Sequence, residues 1–298
     1  MKKGFYILLL VILLQSNAIW SQANLLNARV PQEVGMEMAE NSTPIAYGYT
    51  DDRDILWSKT VWEIIDLDER INFPYYYPTI NNGLLSENRK SLFRVLYDNI
   101  ANGNITEIYS TSYFNPNEKL TFQDLGEKLQ MRNLSAEGIS KSNAGEQVTD
   151  DDYDIFQIES DKVMQYRIKG TWYFNKRLGE LKYRLLGIAP VAPDVSTLSQ
   201  GPQAMQDALV PLFWVWFPDA REALANSKVF NTKNSSQPIT FDHMLNSRRF
   251  NSIIYKEENV YEDREVKDYI YEDALRQLLE SEKIKSVIRD FEQDMWNN

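Results

Sequence analysis

The chain has 298 residues, of which 43% are apolar, enough to bury a core and a soft indication of two domains. It contains one histidine and no cysteine, which excludes disulfides and the common zinc ligand sets. The net charge of −11 argues against nucleic acid and anionic lipid as general partners.

Residues 1–21 have the pattern of a secretory signal peptide. Lys2 and Lys3 are followed by an apolar stretch from Phe5 to Leu14, and we expect cleavage after Ser21. The apolar stretch is shorter than the roughly 20 residues that a membrane-spanning helix needs. Cleavage leaves 30 basic and 43 acidic residues, a net charge of −13. No cysteine follows that could carry a lipid, so we expect a soluble exported protein.

Four segments are predicted after the signal peptide. Residues 22–50 are expected to form an extended N-terminal arm, because their apolar pattern is weak. Residues 51–132 are predicted to form a first α+β domain. Residues 133–152 are rich in Ser, Asn, Gly and acid and are predicted to be a linker or long loop. Residues 153–298 are predicted to form a second α+β domain.

A helix is predicted to open the first domain at Trp57. Trp57, Val61, Ile64 and Ile65 share one helical face, although a strand over Thr60–Leu67 is an alternative because β-branched residues are frequent there. Pro74 is expected to end the helix near Ile71, after which Tyr75, Tyr76 and Tyr77 run extended into Pro78.

The other elements follow from periodicity and capping residues. In the first domain they are a helix over 86–100, a strand over 105–113 and a helix that Thr121 caps and that ends at Leu129. In the second domain they are paired strands at 168–174 and 181–188 joined by a turn at 175–179, a loop over 189–202, a strand over 210–217, and helices over 219–226, 243–249 and 273–296. The last helix is expected to turn Leu275, Leu278, Leu279, Ile284, Ile288, Phe291 and Met295 inward.

These elements predict an α+β fold of mixed helices and short antiparallel sheets. The stretches 108–125 and 229–244 share a weak pattern, each after a helix that ends in Ala-Asn. The sequence leaves open whether the chain consists of two related halves.

The sequence contains no recognisable catalytic or metal site. The single histidine, His243, has no G-x-S-x-G nucleophile motif to accompany it. Asp150, Asp152 and Asp154 have the spacing of a calcium loop, but Ile155 stands where that loop needs glycine. We therefore predict no catalytic, cofactor-binding or metal-binding residues, although paired carboxylates for glycoside cleavage stay open.

Three aromatic clusters are the remaining signal: Tyr75–Tyr77, Trp172–Phe174 and Trp214–Phe217. Such clusters are typical either of a sugar-stacking surface or of core and protein interface. We favour core and interface, and we predict that Tyr75, Tyr76 and Tyr77 form an interaction surface.

Five blocks of the sequence resemble the gliding motility family GldN, called PorN in non-gliding relatives. They are WSKTVWEIIDLDERINFPYYYP (57–78), NRKSLFRVLYDNI (88–100), YRIKGTWYFNKRLGELKYRLLGIAP (166–190), LFWVWFPDAREAL (212–224) and EKIKSVIRDFEQDMW (282–296). Together they extend over nearly all of the chain after the signal peptide.

The resemblance implies a non-enzymatic periplasmic subunit of the type IX secretion system of Bacteroidetes, without a cofactor. It implies a ring formed with an outer-membrane lipoprotein of the GldK/PorK type, at the inner face of the outer membrane. The periplasmic region of a GldM/PorM-like motor protein is a further expected partner, and membrane attachment is expected only through a partner. The alternative is an exported protein that binds or cleaves glycan or peptidoglycan.

Overall fold

The computed structural model describes residues 43–80, 89–200, 208–229, 239–271 and 273–296. The predicted signal peptide and most of the predicted arm lie outside these described residues. Pro44–Asn298 form one compact unit of helices and antiparallel sheets, which confirms the predicted α+β class. Within the described part of the chain, no helix combines the length and apolar composition that a membrane crossing requires.

A sheet of seven antiparallel strands forms the centre of this unit. Its order is β11-β1-β5-β6-β8-β2, and β7 pairs with β6 beside β8. The strands are β1 (Ile55–Asp66), β2 (Ile108–Tyr109), β5 (Gln165–Asn175), β6 (Glu180–Pro193), β7 (Leu209–Pro211), β8 (Trp214–Trp216) and β11 (Ile253–Glu257).

Two pairs of strands, eight α-helices and six short 3₁₀ helices complete the described elements. The pairs are β3 (Gln130–Leu134) with β4 (Tyr153–Gln157), and β9 (Lys228–Val229) with β10 (Ile239–Thr240). The helices are α1 (Phe73–Tyr76), α2 (Leu92–Ala101), α3 (Phe122–Leu129), α4 (Ala136–Ala144), α5 (Phe217–Ala225), α6 (Phe241–Asn246), α7 (Val266–Tyr269) and α8 (Ala274–Trp296).

The prediction of a helix through Trp57 is wrong, and the alternative prediction of a strand is correct. β1 pairs with β11 along one edge and with β5 along the other, so its backbone groups are bonded on both sides. Both faces of its second half are covered, since the neighbours Val61, Trp62 and Glu63 are all buried. A strand buried on both faces shows no alternation, and its apolar residues matched helical spacing by coincidence.

The predicted division into domains at 133–152 is also wrong. β1, from the first predicted domain, is hydrogen-bonded to β5 and β11, from the second, so both parts contribute to one sheet. The segment itself contains the end of β3 and the helix α4, which Ser135 caps by accepting from Gly138 N–H. Its polar composition reflects the exposure of this small β3–β4 unit.

Three boundaries and one helix face differ from prediction. The strand expected over 105–113 is limited to β2, β6 continues to Pro193 in place of a loop, and the strand expected over 210–217 is two short strands, β7 and β8. On α8, Ile284 and Ile288 are buried as predicted, whereas Leu275, Leu278 and Leu279 are exposed. The first turns of α8 therefore extend beyond the sheet that its later turns cover.

Elements with strong local signals were predicted correctly. Thr121 caps α3 as predicted, and Asp124 completes a capping box, whereas α2 begins at Leu92 behind the cap Ser91, later than the predicted start at 86. The hairpin of β5 and β6 turns at Asn175, whose side chain accepts from two loop N–H groups, and at Gly179, which has a positive φ of 67°.

The two weakly similar stretches have similar local structure. α2 and α5 both end in Ala-Asn, and each is followed by a short strand and then by a helix with a threonine cap, Thr121 in α3 and Thr240 in α6. The strands differ in environment, because β2 joins the seven-stranded sheet while β9 pairs only with β10.

A buried ion pair connects the central sheet to the end of α6. Arg248 donates two hydrogen bonds to the Glu63 carboxylate, at 2.9 Å and 2.6 Å, and Ser252 donates a third from its hydroxyl. Glu63 is 1% exposed and lies next to an irregularity in the β1–β11 register. Gly170 leaves room for the Tyr183 ring, over which the Arg248 guanidinium lies at 4.2 Å.

The ion pair depends on an unusual helix ending. Arg248 has a φ of +50° and donates its N–H to Leu245, while Arg249 N–H reaches back to Met244. This is a Schellman ending, whose left-handed position usually holds glycine. Placing arginine there costs about 1–2 kcal/mol, which the bonds to Glu63 offset.

Glu63→Gln is expected to destabilise the protein by about 3–5 kcal/mol, because it leaves the Arg248 charge unpaired in a largely buried position. Urea unfolding measures the change. Glu180→Gln is the matched control, since Glu180 pairs with Lys182 at the surface and its loss should cost at most about 1 kcal/mol. Equal effects of the two substitutions would contradict a structural role for the Glu63–Arg248 pair.

Candidate interaction surface

The three consecutive tyrosines lie in and after a single helical turn, not in an extended chain as predicted. Pro74 falls in the first turn of α1, where its missing N–H does no harm, so it begins this short helix instead of ending a longer one. Successive side chains of a helical turn point in different directions. Tyr75, Tyr76 and Tyr77 consequently have three different environments.

Tyr75 is part of the core, which corrects its prediction as a surface residue. Its ring is fully buried, with centroids 6.3 Å from those of Phe241 and Phe250, and its hydroxyl donates to Arg249 O at 3.4 Å. Burial raises the pKa of Tyr75, which keeps the phenol neutral and able to donate.

Tyr76 is half-buried, and Tyr77 is the exposed member of the three. The Tyr76 hydroxyl donates to Asp161 O at 3.2 Å, and partial burial raises the pKa of Tyr76. Tyr77 is 53% exposed, and its ring packs edge-on against Phe73 at 5.6 Å and Tyr76 at 4.8 Å between centroids.

Tyr77 belongs to a group of exposed apolar side chains, which we call the 71–80 surface: Ile71, Phe73, Tyr77 and Ile80. Their exposed fractions range from 37% to 67%. Single exposed apolar residues are ordinary, but here two of the four, Phe73 and Tyr77, are in contact, and exposed apolar groups of this kind mark interaction sites.

Hydrogen bonds to buried polar groups hold this surface rigidly on the protein. Asn72 is fully buried and donates from its amide to Asp66 O at 2.7 Å and to Asn251 O at 3.1 Å. It also accepts from Asn251 N–H at 3.0 Å, and the Asn251 amide donates to Glu69 at 2.7 Å. Because Asn72 and Tyr75 fix both sides of Phe73, the surface needs little ordering when it binds a partner.

The other two aromatic clusters are mostly core. Tyr173, Phe174, Trp214 and Phe217 are all buried. Trp172 is half-buried and lies against Tyr183, with 5.0 Å between ring centroids. Among the described residues, these two clusters therefore form no exposed platform on which a sugar ring could stack.

Two of the three acidic residues with the apparent calcium-loop spacing, Asp150 and Asp152, have structural partners. Lys141 donates to Asp152 at 2.5 Å, and this bond together with those from Thr149 lowers the pKa of Asp152 to about 2. Asp150 pairs with Arg132 at 2.7 Å. Across the described ranges, no group of three or more His, Cys, Asp or Glu is placed to hold a metal ion.

Sequence reasoning missed a second feature, the groove that holds the end of the arm. We define the arm groove by Arg184, Arg221, Asp242 and Asn246, against which residues 45–47 lie. Asp242, the neighbour of the single histidine, is 1% exposed and ion-paired with Arg221. Asp242 is unusual only because a fully buried aspartate is rare, and burial cannot be read from the sequence.

An α+β chain with an exposed apolar surface on a rigid base is typical of a protein that binds other proteins. The family described as "Gliding motility associated protein GldN" matches residues 50–297. No curated protein matches the chain. Because the match covers most of its length, the chain belongs to the GldN family and is a component of the gliding motility and type IX secretion machinery.

Tyr75→Ala and Tyr77→Ala are expected to differ strongly in their effect on stability. Removing the buried Tyr75 ring should destabilise the protein by about 3–5 kcal/mol, as other aromatic-to-alanine changes in cores do. Removing the exposed Tyr77 ring should change the free energy of unfolding by less than about 1 kcal/mol. Urea unfolding of both variants measures the difference, and a Tyr77→Ala variant as unstable as Tyr75→Ala would show that Tyr77 is needed for the fold.

Proposed function

We propose that the protein is a non-enzymatic periplasmic subunit of the type IX secretion and gliding machinery. In this proposal it forms a ring with an outer-membrane lipoprotein of the GldK/PorK type, at the inner face of the outer membrane. The observation that carries the proposal is the family match over residues 50–297.

The 71–80 surface supports this role. An assembly subunit needs an apolar contact area that is already in its bound shape, since ordering side chains reduces affinity. Phe73 and Tyr77 offer that area, and Asn72 and Tyr75 anchor it to the core. We propose this surface as a contact with the lipoprotein.

Membrane attachment follows from the partner in this proposal. The chain has no cysteine to carry a lipid, so the lipoprotein would supply the anchor. The periplasmic region of a GldM/PorM-like motor protein is proposed as a second partner, on the side of the ring away from the outer membrane. Glycan binding gains no support, because the Trp172–Phe174 and Trp214–Phe217 clusters are mostly buried.

The double substitution Phe73→Ser and Tyr77→Ser is expected to abolish secretion of type IX cargo while the protein remains folded and abundant. The two aromatic rings supply much of the apolar area of the 71–80 surface, and such anchors dominate binding energy. Cargo in the culture medium and co-purification of the lipoprotein from solubilised outer membranes are the two measurements.

Tyr271→Ser is the matched control, because Tyr271 is a tyrosine of still greater exposure outside the 71–80 surface. It should leave secretion and co-purification unchanged. Normal lipoprotein capture by the double variant would exclude the 71–80 surface as the contact. Normal cargo secretion in a strain lacking the whole protein would overturn the proposed function itself.

A further inference from the structure

Residues 45–47 are held in the arm groove as an extended peptide. Ile45 N–H donates to the Asp242 carboxylate at 3.1 Å, and Arg221 donates to Ile45 O. The Tyr47 hydroxyl donates to the Asn246 side-chain oxygen at 2.6 Å. The groove therefore binds the backbone N–H and C=O of Ile45 and the aromatic side chain of Tyr47.

Two arginines flank the Tyr47 ring. The Arg184 and Arg221 guanidinium carbons lie 3.7 Å and 3.8 Å from its centroid, which is within cation–π range. Tyr47 is the main side-chain anchor of the docked segment, since Ile45 and Ala46 are both exposed.

The groove is held together by residues of the body alone. Arg221 pairs with Asp242 through two bonds, at 2.8 Å and 3.1 Å, and the Asn246 amide donates to Asp242 at 2.9 Å. These bonds join α5 to α6 without the arm. The groove is thus a preformed receptor for an extended peptide that carries an aromatic residue.

The tether between the docked residues and β1 is exposed at Gly48 and Tyr49, and it is ordered from the 3₁₀ turn Asp52–Asp54 onward, where Asp54 O accepts from Lys176 N–H at 2.9 Å. Tyr49 is 89% exposed, and a Cβ added to Gly48 would meet nothing within 4 Å. A cleft of about 220 Å³ lies between residues 46–50 and the β5–β6 hairpin, lined there by Leu178 and Lys182. The arm is therefore fixed at residues 45–47 and connected to the sheet by a loose tether.

We propose that subunits exchange these arms, so that residues 45–47 of one copy occupy the arm groove of the next copy. The inference rests on the proposed self-association in a ring and names one contact within it. The docked residues make the same bonds whichever copy supplies them, and an exposed glycine-containing tether is the hinge that such an exchange needs.

Geometry and concentration determine whether exchange occurs. Residues 48–51 precede the 3₁₀ turn and span at most about 14 Å when extended, so the receiving groove must lie within that distance of Asp52 in the donor. A three-residue contact is weak alone, but neighbours fixed in a ring present each other's arms at high effective concentration. Passing each arm in the same direction gives a head-to-tail contact, which is the kind that closes a ring.

Thiol crosslinking in cells tests the exchange, since the chain has no native cysteine. Ala46→Cys is placed on one gene copy and Ser247→Cys on a second, so that the two thiols are always on different chains. These positions adjoin Tyr47 and Asn246, whose side chains are in contact, and both are exposed. A long, flexible bis-maleimide is expected to produce a covalent dimer within the high-mass particle.

Two controls establish that the crosslink reports the docked arm. Adding Tyr47→Ala to the Ala46→Cys chain should lower the dimer yield roughly tenfold or more, as loss of a desolvated cation–π contact does. Moving the second cysteine from Ser247 to Val260, which is 90% exposed and outside the groove, should give no dimer.

The outcomes separate this inference from the proposed function. If the particle forms but the two single-cysteine chains give no dimer, whereas a separate variant with both cysteines in one chain crosslinks within itself, the arms dock in their own chains and the exchange is excluded. A Tyr47-dependent dimer in cells that contain no high-mass particle would support the exchange and contradict the ring. A dimer that survives Tyr47→Ala would exclude docking of Tyr47 in the neighbour's groove.

Discussion

The pairing of Glu63 with Arg248 is the constraint on which both binding features depend. A carboxylate inside a sheet is tolerated only when its charge is matched and its oxygens are bonded, and Arg248 and Ser252 meet both needs. The backbone from 248 to 252 is thereby fixed against β1. Because Arg248 holds the left-handed position that ends α6, the same ion pair also sets where that helix stops.

Both surfaces are built outward from this fixed segment. On one side, Arg249, Phe250 and Asn251 bind or pack against Asn72 and Tyr75, which support the 71–80 surface. On the other side lies α6, whose Asp242 and Asn246 form half of the arm groove. A substitution that breaks the ion pair would therefore alter the structure of both surfaces, although Glu63 lies in neither.

The sequence predicted the elements whose signals are local. Thr121 marks the start of α3 through a side-chain bond, and the β5–β6 turn is marked by Asn175 and Gly179, so these were found. β1 was missed because its pattern depends on what covers it from both sides, and Tyr75 was misplaced for the same reason. The end of α6 carries arginine where glycine is the usual signal, and the arm groove joins residues about 200 positions apart in the chain.

The position of β1 in the sheet determines when the protein can finish folding. β1 lies near the beginning of the described chain, yet one of its edges is covered only by β11, roughly 200 residues later. Until Arg248 and β11 are available, Glu63 has no counter-charge and β1 presents an open edge. A chain that lacks β11 thus leaves one edge of β1 unpaired, so the native sheet is completed only when residues up to Glu257 have been made.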